Sequence, residues 1–291
     1  MEHANGSTRA QAFIAVAELA SFSQAAERLH LTQPAVSKRI STLEDQLNTR
    51  LFDRIGRHTQ LTEAGEALIP RARNILLEME DARRALSNLT DNVSGVLNTG
   101  TSHHIGLHRL PPYLKKYTSL YPQVKLNLEF IDSEEAYDKV LHGELELGIV
   151  TLPPSPSEGL NTIELWQDPL DFVVAPDHPL ANKRQLSVNE LVNYPAVLPS
   201  SNTFTRQIAE ELFRSQQLDI ETVISTNYLE TLKMMVEVGL GWSILPRTMV
   251  DKSIKPIKLK NVKLERTLGC VYHPRRSLSN AANCLMECLK S

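Results

Sequence analysis

The segment from Thr32 to Leu47 carries the clearest chemical pattern in the sequence. Apolar side chains recur along it at intervals of four, three and four residues: Val36, Ile40, Leu43 and Leu47. This spacing predicts an α-helix with a single buried stripe. The opposite face carries small, hydrogen-bonding and cationic side chains: Gln33, Pro34, Ser37, Lys38, Arg39, Ser41 and Thr42. Amide, hydroxyl and cationic groups on one helix face can contact base edges in the major groove, so the pattern indicates a DNA-reading helix.

A second, short helix is predicted directly before this one. Residues 21–24 (Ser-Phe-Ser-Gln) have the pattern of a capping box that opens a helix over 22–29. Residues 30–31 leave room only for a tight turn. Thr32 then caps the next helix, with Pro34 in its first turn, where a missing N–H costs little. Two helices joined by such a turn predict a helix-turn-helix.

Further polar groups lie where DNA phosphates would pass. Hydroxyls at the helix starts can donate hydrogen bonds to phosphates: Ser21, Ser23 and Thr32. Residues 49–61 alternate in polarity around Gly56, which predicts a short β-hairpin, or wing. Its Arg54 and Arg57 suit phosphate or minor-groove contacts. For each of these side chains taken alone, simple exposure to solvent is the alternative.

A long helix is expected next, over residues 62–90 with Thr62 as its cap. From residue 68 its apolar positions alternate in steps of four and three: Leu68, Ala72, Ile75, Met79, Ala82, Leu86, Leu89 and Val93. A regular 3.5-residue period predicts pairing with a second copy of the chain, and packing on the helix's own domain is the alternative. Pro70 predicts a bend in the early part.

After residue 94 the pattern changes to short strands that alternate with helices. Strands are expected at 96–101, 124–130, 145–151, 172–175, 196–198, 222–226, 242–245 and 268–272. Helices are expected at 132–143, 203–216, 228–238 and 278–289. This alternation predicts an α/β region with mostly parallel sheets, either one domain or two lobes. The proline-rich stretch 153–157 is expected to be a loop between strands.

Polar residues directly after predicted strands are candidates for a ligand pocket, because ligands of α/β sheets bind beyond the carboxyl ends of strands. They fall into three clusters: Thr101, Ser102 and His103; Thr151; and Ser200, Ser201 and Thr203. The first cluster also opens a helix, a place suited to an anionic group. Helix capping is the alternative role for all these hydroxyls.

Length and composition restrict the function classes. A chain of 291 residues with 42% hydrophobic and 22% charged residues fits a folded protein of two domains. Neither an apolar run of about 18 residues nor a secretory signal is visible, and three cysteines favour a reducing compartment, so we expect a cytoplasmic protein. With a net charge of −3, DNA binding must rest on the geometry of the motif.

Two side-chain clusters raise the question of a metal. Among His103, His104 and His108, helical spacing leaves a single pair four residues apart, so no metal is expected there. A second set has the spacing of a Cys/His zinc site: Cys270, His273, Cys284 and Cys288. Cys288 lies on the apolar face of a predicted helix, which favours buried, structural cysteine. A redox- or metal-sensing regulator that uses Cys270, Cys284 and Cys288 stays an alternative.

The sequence also lacks the motifs of common enzyme classes. It contains no phosphate-binding glycine fingerprint, no nucleophile elbow and no zincin motif. We therefore expect no catalytic residues and no cofactor.

Over its whole length the chain resembles the LysR-type transcriptional regulators. The resemblance is strongest in FSQAAERLHLTQPAVSKRISTLEDQLNTRLFDR (22–54) and LTEAG (61–65). It continues more loosely in RLPPYLKKYTSLYPQVKLNLEF, LHGELELGIV and MVEVGLGWSILP. It implies a winged helix-turn-helix domain at 1–61, a dimerising linker helix at 62–93 and an effector-binding domain at 94–291. That domain would have two α/β lobes like periplasmic binding proteins, lobe I at about 94–165 and 268–291 and lobe II at about 166–267.

The resemblance also implies roles for individual residues. Gln33 and Ser37 would contact base edges, Pro34 a thymine methyl group, and Lys38 and Arg39 bases or phosphates. The three hydroxyl-rich clusters match the family's cleft between the lobes, which also takes a residue after the second strand, Ile131 or Asp132. An acid at that position weakens the case for a carboxylate effector.

The family assembles as dimers, usually paired into tetramers, on dyad-symmetric promoter DNA, and it responds to a small molecule. RNA polymerase is a further candidate partner, a membrane is not, and no cysteine stands where the family's peroxide sensors keep their redox pair. A rival from another class is an enzyme or solute-binding α/β protein with an incidental helical N-terminus. Such a protein would keep its activity without the first ninety residues.

Overall fold

The computed structural model describes residues 2–55, 58–89, 92–155 and 159–291, apart from the side chains of residues 2–5, 54, 55 and 58. The chain divides into two compact units, Met1–Thr90 and Asp91–Ser291. No helix among the described residues has both the length and the apolar character needed to cross a membrane.

The first unit consists of four helices and a two-stranded antiparallel sheet: α1 (Glu2–Leu19), α2 (Phe22–Arg28), α3 (Gln33–Leu47), β1 (Phe52–Ile55), β2 (His58–Leu61) and α4 (Glu63–Ser87). The helix-turn-helix and the β-hairpin are those predicted from the sequence. Gly56 and Arg57 lie outside the described residues, and so does the side chain of Arg54.

Local signals set most of the helix boundaries. The Ser21 hydroxyl accepts a hydrogen bond from the Gln24 N–H at 3.3 Å and so caps α2 as predicted. His30 has a φ of 53° in the tight turn that follows. The predicted cap of α3 is wrong in part: Thr32 has the extended backbone of an N-cap, but its hydroxyl makes no capping hydrogen bond. The Thr62 hydroxyl caps α4 by accepting from the Gly65 N–H at 3.0 Å.

The core of the first unit lies between α1, α2, α3 and the base of α4. It contains Phe13, Ala25, Val36, Ile40, Leu51 and Ala72, all buried. The expected stripe along α3 is wrong at its last position, because Leu47 is 45% exposed. The helix ends at Leu47 and is capped by Asn48 in the left-handed conformation, so its final turn extends past the core.

Gly65 lies where α4 passes closest to the start of the β-hairpin. A Cβ built at this position would lie 2.3 Å from the backbone oxygen of Leu51 and 2.8 Å from Leu61 Cδ2. The Leu51 oxygen belongs to the backbone, so it cannot move away from a new Cβ as the end of a flexible side chain could. Only glycine therefore fits this contact between helix and wing.

Gly65→Ala is expected to lower the stability of the first unit by about 1–3 kcal/mol, the usual cost of overpacking. Thermal unfolding of the full chain, followed by far-UV circular dichroism, measures the effect. Gly6→Ala in α1 is the matched control, because a Cβ there meets nothing within 4 Å and alanine favours a helix over glycine by about 1 kcal/mol. Equal melting temperatures for the two variants would contradict this account.

The apolar seam along α4 divides into two parts. Leu68 and Ala72 pack into the core of the unit. Further along, Ile75 is 54% exposed and Leu86 is 68% exposed, while Ala82 is also exposed and Met79 is half-buried. The helix continues through Pro70 and ends at Ser87 rather than near residue 90. Leu89, which is 81% exposed, therefore lies just beyond its end.

The second unit begins with a sheet and four helices: β3 (Gly95–Thr101), α5 (His103–His108), α6 (Pro111–Leu120), β4 (Val124–Phe130), α7 (Ser133–His142), β5 (Leu147–Thr151), β6 (Asn161–Val174) and α8 (Val188–Leu191). It continues with β7 (Ala196–Leu198), α9 (Phe204–Arg214), β8 (Thr222–Ser225), α10 (Leu229–Glu237), β9 (Ser243–Pro246), a 3₁₀ turn (Arg247–Met249), β10 (Lys255–Ile257), β11 (Leu264–Tyr272) and α11 (Asn280–Lys290).

The sheets of this unit are mixed, so the expectation of mostly parallel sheets is wrong. Among the described residues, β3 pairs in parallel with β4 and β5, and β7 with β8. The larger sheet has the order β10-β6-β11-β5-β3-β4, with β9 also on β6, and its pairs involving β6 or β11 are antiparallel. The antiparallel pairs arise because β6 runs from lobe I to lobe II and β11 runs back from lobe II to lobe I.

The two largest apolar clusters among the described residues of this unit define two lobes. The core of lobe I contains Leu97, Tyr117, Leu147, Ile149, Cys270 and Leu285. The core of lobe II contains Phe172, Leu180, Leu198, Phe213, Trp242 and Ile244. Strands β6 and β11 contribute residues to both cores, and a β-bulge interrupts their pairing between Leu268 and Gly269.

Candidate functional site

The polar face of α3 is open to solvent. Gln33, Pro34 and Lys38 are exposed, and Ser37 and Arg39 are half-exposed. Gln33 Nε2 donates to Ser37 Oγ at 3.2 Å, so the two groups expected to meet base edges lie side by side. α3 therefore presents amide, hydroxyl and cationic groups from adjacent turns of one helix face.

Two acids that sequence reasoning missed, the half-buried Glu44 and the exposed Glu18, hold this helix and the wing in place. Glu44 on α3 accepts from the backbone N–H of Leu51 at 2.7 Å, just before β1. Glu18 on α1 pairs with Arg28 of α2 at 2.7 Å and with Arg73 of α4 at 2.9 Å. The Glu44 contact holds the wing against α3, whose polar face is exposed, and the Glu18 contacts hold α1, α2 and α4 together.

In the second unit, a small polar cavity of about 50 Å³ lies between the two lobes. Its wall is mainly hydroxyl, imidazole and charged groups: Ser102, His103, His104, Asp132, Ser133, Glu134, Thr151, Pro199, Thr203, Thr205, Asn227, Leu229 and Arg266. Most of them come from the ends of β3, β4, β5 and β7 or from the helices α5, α7 and α9. Asn227 and Leu229 lie between β8 and the start of α10, and Arg266 lies on β11. This is the edge of the sheet at which the sequence predicted a pocket.

Five of the predicted pocket residues line this cavity: Ser102, His103, Asp132, Thr151 and Thr203. Thr101 is fully buried behind it and donates from Oγ1 to the Ile149 carbonyl at 2.8 Å. The N–H of Ser200 donates to Asn227 Oδ1 at 3.0 Å, and Ser201 is exposed; neither lies on the wall. A pocket role for these three remains a prediction.

A buried ion-pair cluster lies behind the cavity. Asp168, fully buried on β6, accepts from Arg266 Nε at 2.9 Å and from Arg109 Nη2 at 3.1 Å. Nη1 of Arg266 donates to Thr205 Oγ1 at 3.0 Å. Within the described part of the chain, Nη2 of Arg266 is buried without a hydrogen-bond partner. Arg266, which lines the cavity, thus has one donor group without an acceptor among the described residues.

His104, beside this cluster, is buried and without hydrogen bonds. It is 4% exposed, and across residues 2–55, 58–89, 92–155 and 159–291 neither ring nitrogen finds a hydrogen-bond partner. Burial, followed by the positive charge of Arg266, lowers the pKa of His104 to about 4. The imidazole is therefore neutral at physiological pH.

Lobe II donates hydrogen bonds to lobe I across the cleft beside the cavity. Asn227 Nδ2 of lobe II donates to Asp132 Oδ2 of lobe I at 2.6 Å. The N–H of Phe204, at the start of α9, donates to Glu134 Oε1 at 2.6 Å. Burial raises the pKa of Glu134 above its ordinary value. Both acids therefore already have donors, whereas Nη2 of Arg266 lacks an acceptor among the described residues.

The cysteines are free thiols with little access to solvent. Cys270 and Cys288 are buried and Cys284 is half-buried. Burial raises the pKa of the Cys270 thiol to about 12, which disfavours the reactive thiolate. In the described residues, the group of side chains that could share a metal ion contains no cysteine: it is His104, His108 and Glu230. These observations favour structural roles for the cysteines.

A winged helix-turn-helix followed by a two-lobed α/β unit with a polar cleft defines a ligand-responsive, DNA-binding transcriptional regulator. Residues 8–66 match the family model described as bacterial regulatory helix-turn-helix protein, lysR family, and residues 90–291 match the LysR substrate binding domain. The chain belongs to the LysR family of transcriptional regulators, as its resemblance predicted.

Known relatives agree with this assignment. A regulator from Azotobacter vinelandii, described as an HTH-type transcriptional regulator in the ibpB-leuC intergenic region, is 71% identical over 101 residues, covering 35% of this chain and 70% of that protein. A probable RuBisCO transcriptional regulator of Thalassiosira pseudonana is 29% identical over 281 residues and 92% of each chain.

Solved structures show the same fold. A full-length OxyR variant from Pseudomonas aeruginosa has a TM-score of 0.71 at 25% identity and covers 98% of this chain and 97% of its own. CbnR in complex with its target DNA has a TM-score of 0.65 at 19% identity and covers 98% of both chains.

Proposed function

We propose that this regulator responds to a small molecule that presents an anionic oxygen to Arg266 in the cleft between the lobes. The observation that carries the proposal is the buried Nη2 of Arg266, which has no partner among the described residues although it belongs to a cavity-lining side chain. A buried donor without a partner costs about 1–3 kcal/mol, and more when it is charged. A bound anion would supply the missing acceptor and strengthen the contact by its charge.

The size of the cavity supports a small effector. At about 50 Å³, it has room for roughly three to five water-sized groups, since one water needs about 10–15 Å³ on this measure. Hydroxyls of Ser102, Thr151 and Thr203 surround the same space and can orient the rest of the molecule. His103 and Asp132 complete the proposed effector set. A larger effector would require the lobes to separate.

We further propose that the exposed face of α3 reads promoter DNA. Gln33 and Ser37 would contact base edges, Pro34 a thymine methyl group, and Lys38 and Arg39 bases or phosphates. Arg54 and Arg57 on the wing, with Ser21, Ser23 and Thr32 at the helix starts, would contact phosphates. Ser21 also caps α2, so its hydroxyl would serve both groups.

Self-association through the exposed part of the α4 seam is the third element of the proposal. Exposed Ile75 and Leu86 on α4, with Leu89 just beyond its end, support it, because a large exposed apolar surface along a helix is typical of a dimer contact. We propose domain limits of 1–61 for the winged helix-turn-helix domain, 62–93 for the linker helix and 94–291 for the effector-binding domain. In that domain, lobe I would span about 94–165 and 268–291, and lobe II about 166–267. We place the protein in the cytoplasm, as a non-enzymatic dimer or tetramer on promoter DNA, with RNA polymerase as a further partner.

The effector proposal is tested by calorimetric titration of the full-length protein with acetate, glycolate and inorganic phosphate. At least one of these anions should bind, and Arg266→Lys should weaken binding about 10-fold or more, since lysine can still pair with Asp168 but loses the free Nη2. Arg247→Lys is the matched control, because Arg247 forms an exposed pair with Asp171 away from the cavity. Equal affinity in the Arg266→Lys variant, or no binding of any probe, would overturn the anionic effector and leave the DNA-binding assignment intact.

A further inference from the structure

A cluster of metal-ligating side chains lies beside the cleft. His104 and His108 stand four residues apart on α5, and their ring centroids are 4.9 Å apart. Glu230, in the first turn of α10, approaches them from the other lobe. One ligand atom from each of the three residues lies within 4.8 Å of the other two.

We propose that His104, His108 and Glu230 bind a divalent transition-metal ion, with Zn²⁺ as the best fit, and that this ion connects the two lobes. Imidazole nitrogens combined with one carboxylate favour Zn²⁺ and its neighbours over Mg²⁺ or Ca²⁺, which prefer oxygen ligands. Three protein ligands leave one position of a tetrahedral ion for water or another ligand.

The spacing of the ligands fits such an ion closely on one side. His108 Nε2 and Glu230 Oε1 are 3.1 Å apart. Two ligands on a tetrahedral zinc with bonds of about 2.0 Å are separated by about 3.3 Å. An ion could therefore enter between these two atoms with small side-chain movements, and their 45% and 44% exposure leaves it a path from solvent.

His104 supplies the independent observation that points to a ligand. Its side chain is 96% buried, the complement of its 4% exposure, and nothing in the described chain forms a hydrogen bond with either ring nitrogen. Buried imidazole nitrogens normally have partners, because leaving one unpaired is costly. A metal ion would satisfy one of them. Asp168 Oδ2, 4.0 Å from His104 Nε2, lies near where a carboxylate commonly orients a metal-bound histidine.

A metal ion at this site would act on the arrangement of the lobes. α5 belongs to lobe I and α10 to lobe II, so an ion held by both stabilises the arrangement in which they meet. The site adds a second input to the regulator and adjoins the proposed effector cavity: His104 lines that cavity, whereas His108 and Glu230 do not.

The test is calorimetric titration of the full-length, chelator-treated protein with ZnCl₂, and with MgCl₂ for comparison. We expect one Zn²⁺ per chain, no comparable Mg²⁺ binding, and a higher melting temperature with zinc. His108→Ala and Glu230→Gln should each weaken Zn²⁺ binding by at least about 10-fold, the lower end of what even outer-shell changes cost. Both positions are exposed, so the variants should fold.

His142→Ala on α7 and Glu237→Gln on α10 are matched controls that should bind zinc like the unmodified protein. Zinc binding should also persist in Arg266→Lys, which separates this site from the anion pocket. Zinc affinity unchanged in His108→Ala and Glu230→Gln, or the absence of stoichiometric binding, would overturn the proposal and leave the His108–Glu230 contact as a simple ion pair.

Discussion

Asp168→Asn is expected to lower the free energy of unfolding of the second unit by about 3–5 kcal/mol. The substitution keeps the shape of the side chain but removes the negative charge that Arg266 and Arg109 share. Arg266 would then be a buried cation without its counter-charge, and this uncompensated charge causes most of the loss. Urea unfolding of the full chain measures it, and both tryptophans, Trp166 and Trp242, report on this unit alone.

Asp171→Asn provides the matched comparison for this prediction. Asp171 pairs with Arg247, which is 63% exposed, so solvent already screens that interaction. Removing the charge there should change the unfolding midpoint little, because exposed ion pairs contribute little to stability. Similar losses of unfolding free energy in Asp168→Asn and Asp171→Asn would mean that burial does not determine how much the Asp168 cluster contributes to stability.

The double variant Ser37→Ala, Arg39→Ala is expected to bind its promoter at least about 30-fold more weakly. Each specific contact is worth about 1–3 kcal/mol, so two lost contacts remove about 2 kcal/mol or more, and about 1.4 kcal/mol corresponds to a factor of ten. Footprinting on the DNA beside the protein's own gene, at a fixed salt concentration, measures the change. The specific footprint should disappear at protein concentrations that protect the site in the unmodified protein.

Arg71→Ala is the control for lost positive charge, since Arg71 is an exposed arginine that belongs to α4 and not to α3. It should leave the footprint unchanged, and a duplex of random sequence should show whether the loss is specific. If the double variant retains the footprint, or loses affinity equally for every duplex, α3 does not read bases through these side chains.

The first unit was predictable because its signals are local. The cap at Ser21, the turn at His30 and the cap at Thr62 each depend on residues three or four positions away, and the structure contains all of them. Leu47 was mispredicted because periodicity identifies a helix face but not where the neighbouring core ends. The exposure of Leu86 likewise followed no local signal, since an apolar seam has the same spacing whether it packs within the chain or is exposed.

The second unit shows what sequence patterns could not provide. Residues after strand ends, such as Ser102 and Thr203, were found because that position has a general meaning in α/β sheets. The long strand β6 was predicted only at its end, since the polar stretch around Asp168 is typical of a loop. Asp168 is buried because Arg266, 98 residues away, pairs with it. Glu230 joins the histidine pair through a similarly distant contact, 122 residues from His108.

The long antiparallel pairing of β6 with β11 limits how the two lobes of the second unit can move relative to each other. Hinges in many ligand-binding proteins are loops, which turn freely about a few backbone angles. Here the connection is a ribbon of interstrand hydrogen bonds, and Gly269 lies so close to the Ile163 carbonyl that a Cβ would be 2.2 Å from its oxygen. Reorientation must therefore bend or twist this ribbon, with the irregularity at Leu268 as its most compliant point. An effector bound between the lobes would therefore act on a stiff element, and we expect a small reorientation of the lobes rather than a wide closure.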